Sequence, residues 1–171
     1  MRGSLRVEPL TSRHDRSSFS SGVEALDRYL HQQAGQDMRK RVACCYVLTR
    51  APEPERVLGF YTLSNNVIPV DALPAPERLR LPRYPFVPAT LIGRLAVSQE
   101  ARGQGFGLYL LFDALALSLD QSRRIASVAV VVDAKNYEAR TFYEKFGFLA
   151  LQGRDSRLFL PMKTIEHLIG R

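Results

Sequence analysis

The sequence predicts a single α/β domain, residues 1–171, built on a mixed sheet. Three observations point there. Short β-branched and aromatic runs alternate with segments whose apolar residues recur at helical spacing. One run, IASVAVVVDA (Ile125–Ala134), is almost continuously apolar, as in a strand covered on both faces. And a chain of 171 residues can bury roughly two-thirds of its unfolded surface in one core, with little left for another domain.

Taken in order, RVEPL (Arg6–Leu10) makes a short opening strand. Ser21 and Glu24 then stand in capping-box relation. Val23, Leu26, Leu30, Ala34 and Met38 follow at helical spacing, so a helix is expected over Gly22–Lys40. Arg39, Lys40 and Arg41 place three cations at the negative end of its dipole. VACCYVLTR (Val42–Arg50) and VLGFYTLSNNVIPV (Val57–Val70) read as strands about a proline-rich turn. From Pro69 to Pro88, prolines at 69, 74, 76, 82, 85 and 88 remove backbone donors and restrict their predecessors. A long loop without regular structure is expected there, and such loops are usually functional. It carries Arg78, Arg80 and Arg83. The strand TLIGRLAV (Thr90–Val97) leads into the turn ARGQGFG (Ala101–Gly107) and a helix with Leu108, Leu111, Phe112, Leu115 and Leu119 on one face. After the apolar strand, NYEARTFYEKFGF (Asn136–Phe148) is a short helix closed by Gly147 at its C-cap. RLFLPM (Arg157–Met162) is a last strand, and Thr164–Ile169 a final helical turn.

Composition excludes whole classes of protein. With 46% hydrophobic and 24% charged residues the chain is not disordered. No apolar run approaches the ~20 residues of a membrane-spanning helix. MRGSLRVEPL lacks the apolar stretch of a secretory signal, which makes the cytoplasm the expected location. Lys and Arg number 24 against 17 Asp and Glu, a net charge of +7. That field attracts nucleic acid, acidic membrane or a phosphorylated cofactor, without choosing among them. Cys44 and Cys45 are adjacent, so they form neither a disulfide framework nor a CxxC clip and read as reduced strand or core residues. His14, His31 and His167 share no metal-ligand spacing, and no metal site is expected.

The most specific local signal is the strand, glycine-rich turn and helix around Arg102–Gly107. A helix start exposes unpaired N–H groups and the positive end of the dipole, which together attract an anion. Glycines let that backbone approach a phosphate, and Arg102 adds a cation. A Walker A loop does not fit, because no Lys followed by Ser or Thr succeeds Gly107. Nor does the dinucleotide fingerprint, since Gly103, Gly105 and Gly107 are spaced GxGxG and come late in the chain.

Arg102-Gly103-Gln104-Gly105-Phe106-Gly107 resembles the acyl-CoA pyrophosphate motif R/Q-x-x-G-x-G/A of the GNAT superfamily of N-acetyltransferases. Downstream, Asn136-x-x-Ala139-x-x-Phe142-Tyr143-Glu144-Lys145-Phe146-Gly147-Phe148 is similar to the second cofactor segment of that superfamily. The resemblance covers nearly the whole chain. It implies the GNAT fold, with acetyl-CoA as co-substrate and a central strand (Gly93–Val97) that splays from its neighbour (Ala126–Val132). Pantetheine would then pair with the backbone of Leu95, Ala96 and Val97. A narrower resemblance, to the toxin branch of toxin–antitoxin systems, rests on Phe19, Gly22, Leu26, Asp27, Tyr29 and Leu30, on Gly59–Ser64, on Leu81–Pro85 and on Leu91–Val97. That branch acetylates the α-amino group of aminoacyl-tRNA and blocks peptide-bond formation. It implies a small DNA-binding antitoxin, of ribbon–helix–helix type, as partner.

The resemblance makes Tyr143 the catalytic residue, a general acid that protonates the departing CoA thiolate. Without it, Tyr143, Phe142 and Phe146 would be an aromatic packing face. Asn136 is a hydrogen-bond partner for CoA, an N-cap, or both. No general base stands out: Glu100, Glu138 and Glu144 read as solvated charges. An aminoacyl ester needs none, because its amine pKa lies below the ~7.7–8.0 of a free α-amino group. Arg39, Lys40, Arg41, Arg78, Arg80, Arg83 and Arg94 form the expected tRNA-facing set, each otherwise an ordinary solvated charge. Two other readings stay open: acetylation of a small amine or protein N-terminus, and a CoA-binding module without catalysis. Oligomeric state is also open, a homodimer included.

Overall fold

The computed structural model describes residues 3–154 and 156–170. Its strands form a seven-stranded sheet in the order β1 (Leu5–Pro9), β2 (Cys44–Arg50), β3 (Gly59–Pro69), β4 (Phe86–Val97), β5 (Ala129–Asp133), β7 (Arg157–Pro161) and β6 (Leu149–Ala150), and the chain divides into two compact units. The first unit holds the chain through Ser64 together with Gly93–Ala114. The second holds Asn65–Ile92 and the chain from Leu115 onward.

In the first unit β1 (Leu5–Pro9), β2 (Cys44–Arg50) and β3 (Gly59–Pro69) form an antiparallel meander. On β2, Cys45 is buried while Cys44 is exposed. The core gathers Phe19, Leu30, Ala34, Val47, Phe60 and Ala96. Phe19 meets Phe60 edge-on, with ring centres 5.5 Å apart. His14 is buried in this unit, its Nε2 3.0 Å from Glu8 Oε2.

The expected Gly22–Lys40 helix is not one α-helix. It runs as α1 (Glu24–Arg28), a π-helical turn (Tyr29–Gln33) and α2 (Ala34–Arg39). The wider turn accompanies burial of Tyr29, whose hydroxyl donates to Asp37 at 2.8 Å. The Ser21–Glu24 capping box does not form either. Helix α1 starts from Val23, so Asp27 is the carboxylate that reaches back, accepting from the amide and hydroxyl of Ser21 at 2.8 and 2.7 Å. Glu24 pairs instead with Arg28, one turn along.

In the second unit the proline-rich stretch is more regular than its composition predicts. Strand β3 runs to Pro69, a 3₁₀ turn covers Val70–Ala72, and α3 (Ala75–Arg78) has Pro76 in its first turn, where the missing N–H is no loss. Strand β4 (Phe86–Val97) begins inside the expected loop and takes in Pro88. Parallel pairing of β4 with β5 (Ala129–Asp133) joins Thr90, Leu91 and Ile92 to Val130, Val131 and Val132. Beyond Ile92, β4 continues to Val97.

A parallel pair needs a long crossover, supplied by α4 (Phe106–Gln121). Strand β5 is shorter than the apolar run, whose first four residues lie outside it, with Ile125 exposed. α5 (Tyr137–Glu144) follows, and Gly147 past its end takes φ +97°, as its C-cap place predicts. The two-residue β6 (Leu149–Ala150), which no pattern announced, pairs with β7 (Arg157–Pro161), and α6 (Met162–Ile169) is a full helix. Among the described residues no helix is long and apolar enough to cross a membrane.

Candidate active site

The glycine-rich turn lies in the first unit, between a 3₁₀ turn (Gln99–Ala101) and the 16-residue helix α4. Gly103 and Gly105 have φ of +80° and +79°, the left-handed region that side chains with a Cβ avoid. A Cβ built on either would meet no atom within 4 Å. The turn is therefore open on the glycine side, its left-handed backbone favours glycine, and exposed amides before a helix start suit a pyrophosphate. Buried Phe106 anchors the turn from below while Arg102, Gly103, Gln104 and Gly105 stay exposed.

Long-range contacts fix the side chains of this turn. Arg102 Nη2 donates to the Ser21 carbonyl at 2.6 Å. That places its guanidinium against Gly22, where φ is +89° and an added Cβ would lie 3.2 Å from Arg102 and 2.7 Å from Gln99. Gln104 Oε1 accepts from Arg50 Nη2 at 2.9 Å, so this amide faces β2. The Arg50 guanidinium also lies 5.0 Å from the centre of the Phe106 ring, and its buried Nε has no partner among the described residues. No sequence pattern singles out Arg50. Nothing local marks it, since it precedes Gln104 by 54 positions. On β4, Ala96 buries its side chain in the core, with half-buried Leu95 and Val97 on either side.

Asn136 and Tyr143 lie in the second unit. Asn136 is the N-cap of α5, its Oδ1 accepting from the Ala139 amide at 2.8 Å, a contact worth about 1 kcal/mol. Seven residues on, Tyr143 is 7% exposed, its ring meeting Phe142 and Phe148 edge-on at 5.2 and 5.3 Å. Burial raises its hydroxyl well above the ordinary tyrosine range. Tyr143 thus stays protonated throughout physiological pH. Glu100 and Glu144 are engaged by Arg56 and Arg140 at 2.6 and 3.2 Å, which leaves them as paired surface charges.

The chain matches the family model described as "Acetyltransferase (GNAT) family" over residues 10–148. The chain belongs to the GNAT acetyltransferase family. This GNAT chain is 36% identical over 171 residues to a tRNA-acetylating toxin of Mycobacterium tuberculosis (strain ATCC 25618 / H37Rv), covering 99% of each. Among solved structures it is similar to the toxin AtaT complexed with acetyl-methionyl-tRNAfMet, with a TM-score of 0.90, 31% identity, and coverage of 96% of this chain and 99% of that one. It is also similar to a tyrosine-to-phenylalanine mutant of AtaT bound to the C-terminus of the antitoxin AtaR and acetyl-CoA, with a TM-score of 0.82, 28% identity, and coverage of 98% and 99%.

The basic residues of this GNAT chain fall in both units. Arg39, Lys40, Arg41 and Arg94 are in the first, Arg78, Arg80 and Arg83 in the second. Arg94 lies over the Tyr29 ring at 3.6 Å, a cation–π contact. Hydrogen bonds from Gln33 and Tyr29, with the nearby charges of Arg94 and Lys40, hold the Asp37 carboxyl below its usual range. Arg78 donates to the Leu73 carbonyl at 3.1 Å, so it also braces its own loop. None of the seven forms a salt bridge among the described residues, whereas Arg28, Arg56, Arg140 and Arg157 all do. Arg94 and Lys40 lie near the Asp37 charge, so the cations of this set with no acidic neighbour described above are Arg39, Arg41, Arg78, Arg80 and Arg83.

Proposed function

We propose that this chain is a toxin that transfers the acetyl group of acetyl-CoA to the α-amino group of aminoacyl-tRNA and so blocks translation. One observation carries the acceptor: the match to a tRNA-acetylating toxin over 99% of both chains. Cations outside salt bridges and the net charge of +7 suit a polyanionic acceptor, while a site for polyamines would need acidic clusters.

Acetyl-CoA supplies a thioester whose carbonyl carbon a neutral amine can attack. The residues of the chain bind and protonate. The turn Arg102–Gly107 and the first-turn amides of α4 hold the pyrophosphate. The backbone of Leu95, Ala96 and Val97 pairs with pantetheine, and Asn136 adds a hydrogen bond beyond its cap. As the new C–N bond forms and the C–S bond breaks, Tyr143 donates its proton to sulfur and regains one from the amine nitrogen. No strong base is needed for an amine as weakly basic as that of an aminoacyl ester.

The reading includes one domain over residues 1–171, because the unit boundaries cut through β3, β4 and α4 rather than linkers. It includes action in the cytoplasm, where charged tRNA is found, and a ribbon–helix–helix antitoxin as partner. The test is incubation with acetyl-CoA and total charged tRNA, then mass spectrometry of the released aminoacyl adenosines. N-acetylated species should form. Acetyl transfer to small amines with charged tRNA untouched would overturn the acceptor and leave the enzyme class standing.

A further inference from the structure

Between Pro69 and Phe86 the second unit carries a groove of about 780 Å³ that the chemistry above does not use. Three large apolar side chains on its walls face solvent: Leu79, Tyr84 and Phe86 are 79%, 64% and 55% exposed. The backbone beneath them is held. The Val70 amide donates to the Pro85 carbonyl at 3.0 Å, closing the ends of the segment, and the Tyr84 amide donates to the Pro82 carbonyl at 2.9 Å. Val70 and Leu81 pack down on the core that Leu73, Val87 and Phe159 help to form, so the segment is anchored on one side. Prolines on both sides of the Pro82–Pro85 stretch limit it further. The rings are thus presented on a stiff support, and little ordering entropy remains to be lost when something covers them.

Charge selects the occupant. Arg78 and Arg83 line the groove with one carboxylate, Asp71, and Arg80 is exposed on the same segment. Exposed aromatic faces interleaved with arginines suit single-stranded nucleic acid, whose bases stack on rings while cations follow the phosphates. Duplex does not fit, because paired bases have no free faces. We infer that this groove receives the unpaired nucleotides beside the aminoacylated 3′ end, with Tyr84 and Phe86 as stacking platforms and Arg83 on the backbone. The inference rests on aminoacyl-tRNA being the acceptor.

The test measures fluorescence anisotropy of a labelled single-stranded RNA ending in CCA against the full chain, with a duplex of the same length as comparison. Wild type should prefer the single strand. Tyr84→Ala and Phe86→Ala should each weaken it by about tenfold or more, whereas Tyr84→Phe, which keeps the ring, should bind like wild type. Both side chains are exposed, so melting temperatures should stay close to wild type and report intact folding. In turnover, the alanine variants should raise KM for aminoacyl-tRNA and leave KM for acetyl-CoA unchanged. An unchanged single-strand affinity, or equal binding of duplex, overturns the groove. A wild-type dimer that Tyr84→Ala dissociates without loss of RNA affinity also overturns it, because the face would then join two copies. Ring-dependent RNA binding without acetylation of charged tRNA would uphold the groove and sink the acceptor. Normal acetylation kinetics in both alanine variants would do the reverse.

Discussion

The guanidinium of Arg50 lies 5.0 Å from the centre of the Phe106 ring and gives a hydrogen bond to Gln104 at 2.9 Å. One side chain from β2 thereby grips the turn on both sides of Gly105. Replacing Arg50 with Ala removes a cation–π contact and a hydrogen bond, together about 1–2 kcal/mol. KM for acetyl-CoA should rise roughly five- to thirtyfold by the same principles, with kcat nearly constant. Steady-state kinetics at saturating acceptor reads the split, and an equal fall in kcat would show that Arg50 does more than hold the turn.

Gly105 should not tolerate a β-branched residue. Valine there takes the left-handed conformation at a cost of ~1–2 kcal/mol, and its side chain projects into the open space beside the turn. The protein should fold, since no protein atom is displaced. Calorimetry should find no acetyl-CoA binding by Gly105→Val, and retained affinity would remove the turn as the phosphate site.

Tyr143→Phe keeps a ring that meets Phe142 and Phe148 and deletes only the hydroxyl. Melting temperature and acetyl-CoA affinity should hold while turnover drops by ~10²–10⁴-fold. Expressed without an antitoxin, wild type should arrest growth and the variant should be tolerated. Near-normal turnover would take the acid role from Tyr143.

Burial raises the hydroxyl pKa of Tyr29, Tyr46, Tyr61 and Tyr143, four of the seven tyrosines in the chain. A group with a raised folded-state pKa binds its proton more tightly when folded, so its contribution is complete below the ordinary tyrosine value near 10 and fades above it. Stability should therefore decline as pH climbs past about 10. Phenolate absorbance should develop in two stages, the later one coinciding with loss of the circular dichroism of the fold. A single early stage with the fold intact would contradict the burial.

Arg80 and Arg83 are the better residues for a test of phosphate contact, because Arg78 also braces the loop through Leu73. Binding of tRNA should weaken steeply with salt, and Arg80→Glu with Arg83→Glu should lower the salt slope by about one for each arginine replaced. Acetyl-CoA affinity should be untouched. A salt-insensitive interaction would favour a small acceptor.

Local chemistry makes much of this legible. Asn136 as a cap, Gly147 as a helix end and the glycine turn before α4 each follow from what a short stretch of backbone requires. Where local pattern fails, distant residues decide. Asp27 displaces Glu24 as the partner of Ser21 because the helix starts from Val23. The π turn goes with a buried Tyr29 under Arg94, and that juxtaposition has no trace in the spacing of Val23, Leu26 and Leu30. Prolines break less structure here than their number suggests, since Pro76 sits where a helix needs no donor. The grip of Arg50 on Gln104 joins β2 to the turn across the fold, beyond the reach of any local pattern.

The bond from Arg102 to the Ser21 carbonyl means that the turn is never without an acceptor for its cation. A phosphate arriving there competes with an internal rival for the same guanidinium. The worth of Arg102 to cofactor affinity is then a difference between two bonds, smaller than the phosphate bond alone. By reciprocity, whatever draws Arg102 away from Ser21 also loosens the entrance to α1, so occupancy of the turn is communicated to the segment that leads into the first helix.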